Sequence, residues 1–133
     1  MSDHFAQLPN KQPALRVVPM PSDANQNGDI FGGWMMAQVD VAGGMVAMRR
    51  AKGRVTTVAV DSFVFNQPVS VGDIVSLYAE VVATGRTSLK VRVEVFAERD
   101  PEHPITVRVT EATLSYVAIN QHGIKRPLPG IEQ

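Results

Sequence analysis

The run GGWMMAQVDVAGGMVAMRRA, Gly32 to Ala51, decides how the rest of the chain is read. It is rich in Met, Ala and Gln, closes on Arg49 and Arg50, and meets Gly53 as a stop signal, so it predicts one long helix. Two stripes run along it at helical spacing. Met35, Val39, Ala42 and Val46 make a bulky apolar stripe, and Gly33, Ala37, Asp40, Gly44 and Ala47 make one of small residues. Asp40 is the lone acid of the run. A helix apolar nearly all round is expected to be buried. The glycines at 43 and 44 each cost roughly 1 kcal/mol against alanine, which implies close packing that compensates.

Downstream of Gly53 the period changes from helix to strand. Val55–Phe65 is rich in β-branched and aromatic residues and apolar on both faces. Val75, Leu77, Ala79, Val81 and Ala83 alternate with more polar neighbours, and Thr84–Thr87 carries a short hairpin signal. In the next strand Leu89, Val91, Val93, Val95 and Ala97 oppose Lys90, Arg92, Glu94 and Glu98. The last long strand, Ile105–Ile119, changes phase, because Ile105, Val107 and Val109 are odd while Ala112, Leu114 and Tyr116 are even. A β-bulge near Thr110-Glu111 is expected to reset its facing. Upstream, Pro19–Asp29 is dense in Pro, Asn, Asp and Gly and reads as an ordered loop, with a short strand over Ala14–Val18 before it.

The order strand, loop, helix, then four long strands in hairpin succession predicts an α+β fold. One long central helix is wrapped by a curved antiparallel sheet of about five strands. Residues 14–129 form the single domain, 1–13 a flexible N-terminal arm and 130–133 a C-terminal tail. One helix covers too little of such a sheet, so a dimer is expected.

Composition narrows the function. With 133 residues the chain has room for one domain, and 44% hydrophobic against 20% charged residues is globular composition. Thirteen basic residues balance thirteen acidic ones, which argues against a duplex nucleic-acid partner. The absence of cysteine excludes disulfides, thiolate nucleophiles and Cys-type metal sites. The opening residues lack the apolar core of a signal peptide, and no apolar run approaches the roughly 18 residues of a membrane span, so a soluble cytoplasmic protein without membrane insertion is expected. His4, His103 and His122 fall in the arm or in turns, away from any Ser or Asp partner, and read as surface residues.

The stretch Asn27-Gly28-Asp29-Ile30-Phe31-Gly32-Gly33-Trp34, continuing to Asp40, resembles the hot-dog-fold acyl-CoA thioesterases, most closely the YciA-like subgroup. Met20–Asp23, Phe65–Asp73, Gly85–Ser88, Val93–Val95 and Tyr116–Ala118 agree with it in order, so the likeness covers roughly residues 15–129. The resemblance implies hydrolysis of acyl-CoA to a free acid and CoA, with CoA part of the substrate and no separate cofactor or metal. It implies subunits paired so that two sheets become one, with two sites at the subunit interface, and assembly as a trimer of dimers. It assigns the catalytic acid to Asp40.

The residues allow that chemistry. A thioester expels the conjugate of a thiol with a pKa of about 8.5, so one carboxylate plus an oxyanion site suffices. Asp40 is the expected general base, strengthened by burial, with direct attack to a mixed anhydride as the other route. A core Asp satisfied by a hydroxyl or backbone donor is the plainer reading of the same residue. Gly32 and Gly33 expose N–H groups at the positive end of the helix dipole, an oxyanion hole in which Gly33 is the expected donor; close packing alone also explains two glycines. Asn27, Asp29 and Phe31 precede the helix as candidate substrate-binding residues; Asp29 is also a candidate cap and Asn27 an orienter of loop or water, with helix capping the plainer role for both Asn27 and Asp29. Arg86, Thr87 and Ser88 are candidate contacts for the pantetheine or nucleotide. Arg49, Arg50, Lys52 and Arg54 place four cations in six residues, which suits a helix C-terminus irrespective of ligand. An acyl-CoA-binding sensor or carrier without turnover is the alternative, but no length remains for an output element. A hot-dog dehydratase would need a histidine near the helix, and none lies between residues 5 and 102.

Overall fold

Gly32 to Ala51 form the predicted helix, α1, about 30 Å long. The computed structural model describes residues 6–130. Around α1 the chain runs β1 (Leu15–Val17), a 3-10 turn (Pro21–Asp23), then after the helix β2 (Val55–Phe65), β3 (Ile74–Thr84), β4 (Ser88–Arg99) and β5 (Ile105–Ala118). All pairings are antiparallel, in the order β1-β3-β4-β5-β2. The left-handed residue that ends α1 is Lys52, at φ 54°, one position before the expected glycine. No helix among the described residues is long and apolar enough to cross a membrane.

The hairpin succession holds for β3, β4 and β5 but not for β2. Leaving α1, the chain enters β2 beside the end of β5, with Val55 opposite Ala118, so β2 becomes the far edge. The segment from Asn66 to Asp73 then crosses the helix N-terminus, where Ile30 N–H donates to Val69 O (2.9 Å), to reach β3. The phase change of β5 is present one residue early. Thr110 opposes Val95 and Arg108 opposes Phe96, so Val109 is the bulged residue. Both phases then face the helix, and Val107, Val109, Ala112, Leu114 and Tyr116 are all buried.

The core lies between α1 and this inner face: Met35, Val39, Ala42, Ala47 and Ala51 against Val75, Leu77, Leu89, Val91, Val93 and Val95. Each fully buried Val or Leu contributes about 1.5–3 kcal/mol. Tyr78 and Phe96 point away from the helix yet are buried and meet edge-on at 5.8 Å. Over this end of the sheet the backbone passes from β5, where Ala6 N–H donates to Thr106 O (2.9 Å), to β3, where Ala14 N–H donates to Leu77 O (2.8 Å). Residues 1–5 of the expected arm and 131–133 of the expected tail lie outside the described residues.

Burial of α1 is one-sided, against the expectation from its composition. Gly33, Met36, Ala37, Asp40, Val41 and Met48 are exposed, and so is most of β2, including Val58, Val60, Val64 and Phe65. The small-residue stripe therefore faces outward beside an unpaired strand edge, and only Ala47 of that stripe turns into the core.

Candidate active site

The loop before α1 is organised by a residue the sequence reading passed over. Asn25 Oδ1 accepts from Asn27 N–H (2.8 Å) and Asp29 N–H (3.1 Å), while Gly28 takes φ 87°, a left-handed conformation that suits glycine. Asn27 itself is exposed, and it is Asn25 that orders the loop. Asp29 does not cap the helix. The N-cap is Phe31, without a side-chain cap, and Asp29 instead bridges to Ser70. Phe31 is anchored by its own N–H donating to Asp23 O (3.0 Å), and its ring is exposed.

Phe31 O accepts from Trp34 and Met35, so the Gly32 and Gly33 amides at the start of α1 lack acceptors among the described residues. A Cβ at Gly32 would meet Phe65 Cζ at 3.3 Å; one at Gly33 would meet nothing within 4 Å. Packing against the sheet explains the first glycine and leaves the second free. A cavity of about 220 Å³ opens beside Gly32.

Two turns on, Asp40 lies on the exposed face. Within the single chain, burial does not prepare its carboxylate. Two donors do: Thr57 Oγ1 from β2 at 2.7 Å and Tyr116 OH from β5 at 2.9 Å, both to Oδ1. Tyr116 OH also lies 3.1 Å from Asp40 O. Burial, then the hydrogen bond and charge of Asp40, push the Tyr116 phenol well above its ordinary range, so it stays protonated and donates. Gly43 makes the room, since a Cβ there would stand 2.6 Å from the Tyr116 oxygen. The satisfied-acid reading of Asp40 is therefore correct for Oδ1, while Oδ2 has no protein donor among the described residues. Nothing in sequence spacing links Asp40 to Tyr116, 76 positions away. The available signal was that a buried tyrosine needs a partner for its hydroxyl.

Arg86 and Thr87 lie in the β3–β4 turn at the other end of α1, and Ser88 opens β4. Ala118 N–H donates to Thr87 O, Gly85 N–H to Ser88 O and Leu128 N–H to Arg86 O, while the Arg86 side chain is exposed. Backbone carbonyls tie further cations into this end: Arg50 donates to Pro129 O, Arg54 to Gln121 O and Arg126 to Ile119 O. No Asp or Glu occurs in residues 41–60, 81–93 or 112–131, and no ion pair among the described residues engages Arg49, Arg50, Lys52, Arg54, Arg86, Lys125 or Arg126. The structure thus separates the glycines from Arg86, Thr87 and Ser88, and sets the latter in an un-neutralised cationic end.

Comparison with known proteins agrees with this geometry. The family model of the thioesterase superfamily matches residues 27–103. The acyl-CoA thioester hydrolase YciA of Salmonella typhimurium is 46% identical over 123 residues, covering 91% of this chain and 92% of that protein. The hexameric thioesterase of Yersinia pestis superposes with a TM-score of 0.85 at 45% identity, covering 92% of this chain and 99% of that one. An acyl-CoA hydrolase from Staphylococcus aureus, solved with butyryl coenzyme A and coenzyme A, superposes with a TM-score of 0.80 at 29% identity, covering 87% and 70%. That hydrolase was also solved with alanine replacing an asparagine and, separately, an aspartate fifteen positions later. With its hot-dog arrangement of one helix on a five-stranded antiparallel sheet, the chain belongs to the thioesterase superfamily, among the YciA-type acyl-CoA thioester hydrolases.

Proposed function

We propose that the protein hydrolyses acyl-CoA to a free carboxylic acid and CoA, with Asp40 as general base and the N-terminus of α1 as oxyanion site. The observation that carries this is the division of labour within the Asp40 carboxylate: Oδ1 is held by two donors and Oδ2 is left for water. Water attacks the thioester carbonyl carbon as Asp40 takes its proton. Negative charge collects on the carbonyl oxygen, where the Gly33 and Gly32 amides and the helix dipole stabilise it. The tetrahedral intermediate then expels the CoA thiolate, and the proton on Asp40 passes to that sulfur or to solvent.

Three further features support the reading. Asn25 precedes Asp40 by fifteen positions, the separation of the two residues replaced in the Staphylococcus hydrolase, and it shapes the loop entering the helix. Asn27, Asp29 and Phe31 flank that entrance. The cationic end around Arg86 suits the phosphates of CoA, with Thr87 and Ser88 beside it; from Asp40 to the end of α1 is about 16 Å along the axis. The exposed β2 edge and the apolar residues of the outward helix face, Met36, Val41 and Met48, suit a second copy that continues the sheet and closes a site at the seam. A trimer of such dimers is the assembly we infer.

Thiol release from a panel of acyl-CoAs, compared between wild type and Asp40→Asn, tests the proposal. Turnover by wild type and loss of most kcat in a variant that still binds CoA is expected. Full activity in Asp40→Asn removes Asp40 from the mechanism; absence of turnover by wild type on any thioester favours a non-catalytic acyl-CoA-binding protein.

A further inference from the structure

The cavity beside Gly32 is lined by Met35, Phe65, Pro68 and other apolar residues, but also by Gln67 and Thr110. Thr110 is fully buried, and its hydroxyl has no hydrogen-bond partner among the described residues. The bulge at Val109 turns Thr110 toward the helix, in phase with Ala112, Leu114, Tyr116 and Ala118. Each of these is apolar except Tyr116, whose hydroxyl is engaged by Asp40. A valine would fill the Thr110 position without leaving a buried hydroxyl unsatisfied, so the hydroxyl carries a cost that folding alone does not repay. Gln67 is held by its backbone, its N–H donating to Val109 O (3.4 Å), and its side-chain amide is unengaged among the described residues.

An apolar cavity of about 150 Å³ holds benzene, so one of about 220 Å³ takes an acyl chain on the order of six to nine carbons. Gly32, whose amide is one of the two assigned to the oxyanion, lines the cavity. One buried, unpaired hydroxyl, with the half-buried Gln67 amide beside it, in an otherwise greasy chamber matches a chain that itself carries an oxygen.

We propose that this cavity receives the acyl chain and that Thr110, aided by Gln67, selects short acyl groups bearing a hydroxyl or keto oxygen over their plain alkanoyl counterparts. The inference rests on the thioesterase reading. A hydroxyl donates to or accepts from Thr110, whereas a keto oxygen accepts from Thr110 or from the Gln67 amide. A plain chain leaves the buried Thr110 hydroxyl unpaired.

The test is kcat/KM for thiol release from butanoyl-, hexanoyl- and octanoyl-CoA, each against hydroxy and oxo counterparts with the oxygen at successive carbons. Wild type should favour the oxygenated member of at least one pair by roughly ten- to a hundredfold. Thr110→Val, which keeps volume and removes the hydroxyl, should abolish that preference by gaining on the alkanoyl substrate as well as losing on its partner. Thr110→Ser should retain it. Hydrolysis of every pair at equal kcat/KM by wild type overturns the inference while leaving the thioesterase reading intact; a preference that persists in Thr110→Val overturns the role of this hydroxyl. Absence of hydrolysis of any thioester overturns both.

Discussion

Tyr116→Phe isolates what the protein does to Asp40. The substitution deletes one oxygen from a fully buried ring and leaves the ring in place. That oxygen donates to Asp40 Oδ1 at 2.9 Å and lies 3.1 Å from Asp40 O. A hydrogen bond to a charged group is worth about 1.5–3 kcal/mol. Asp40 is exposed in this chain and keeps Thr57 at 2.7 Å, so the lower end of that range applies. About 1.5 kcal/mol converts to roughly a tenfold fall in kcat. KM should stay within about twofold, because Tyr116 does not line the cavity beside Gly32. Thiol release followed continuously over a range of acyl-CoA concentrations gives both constants, with a thermal melt to show that the variant is folded. Thr57→Val alone should behave similarly. The double variant should lose more than the product of the single losses, since each remaining donor still fixes Oδ1 until both are gone. A folded Tyr116→Phe enzyme with wild-type kcat, or one whose loss sits entirely in KM, refutes the argument that Oδ1 is held so that Oδ2 can act.

Gly33→Ala should keep or raise the melting temperature, because a Cβ there meets nothing within 4 Å and alanine favours a helix by up to about 1 kcal/mol, yet it should lower kcat by crowding the amides; unchanged kcat would reduce Gly33 to a packing residue. Gly43→Ala drives a Cβ to 2.6 Å from the Tyr116 oxygen and should cost about 1–3 kcal/mol in denaturant unfolding. Adding Tyr116→Phe should restore part of that loss, and strict additivity would contradict the clash. The raised Tyr116 phenol makes the folded form hold its proton above the ordinary value of 10.0, where the unfolded chain has released it. Its stabilising contribution is therefore full below pH 10 and lost as pH rises beyond it, so unfolding free energy should fall more steeply in wild type than in Tyr116→Phe across that window.

What the sequence made legible was whatever depends on period. Gly32–Ala51 carries its own start, stop and stripes, and the odd-to-even change in β5 announced a bulge that the structure places at Val109. Partner choice between strands was not legible. β2 and β3 are consecutive and each reads as a hairpin arm, but the crossing of Asn66–Asp73 over the helix N-terminus sends β2 to the far edge beside β5. The loop misled for a local reason. Asn25, Asn27 and Asp29 all have the chemistry of turn formers, and only the backbone decides that Asn25 collects the amides of the other two. Asp40 was identifiable as the lone acid of an apolar helix. Its donors were not, because Thr57 and Tyr116 reach it through sheet register rather than spacing.

The glycine pair separates what a single chain needs from what the proposed neighbouring subunit would need. Gly43 is required inside the chain, since Tyr116 OH occupies the space a side chain would take. Gly44 is not: the nearest atom to a Cβ there is Tyr116 Cε2, at an ordinary 3.9 Å. It belongs instead to the outward stripe with Gly33, Ala37 and Asp40, whose side chains are short on a helix otherwise rich in methionine. Short side chains on an exposed helix face do nothing for a solitary chain, whose stability comes from the opposite face. They serve whatever must approach the helix closely, and the adjoining β2 edge offers backbone hydrogen bonds to hold it there. A neighbouring subunit docked on that edge would wall in Asp40 and exclude bulk water from the side of the carboxylate that Thr57 and Tyr116 leave open. The solvent exposure of Asp40 in one chain is thus what a site finished by its neighbour requires.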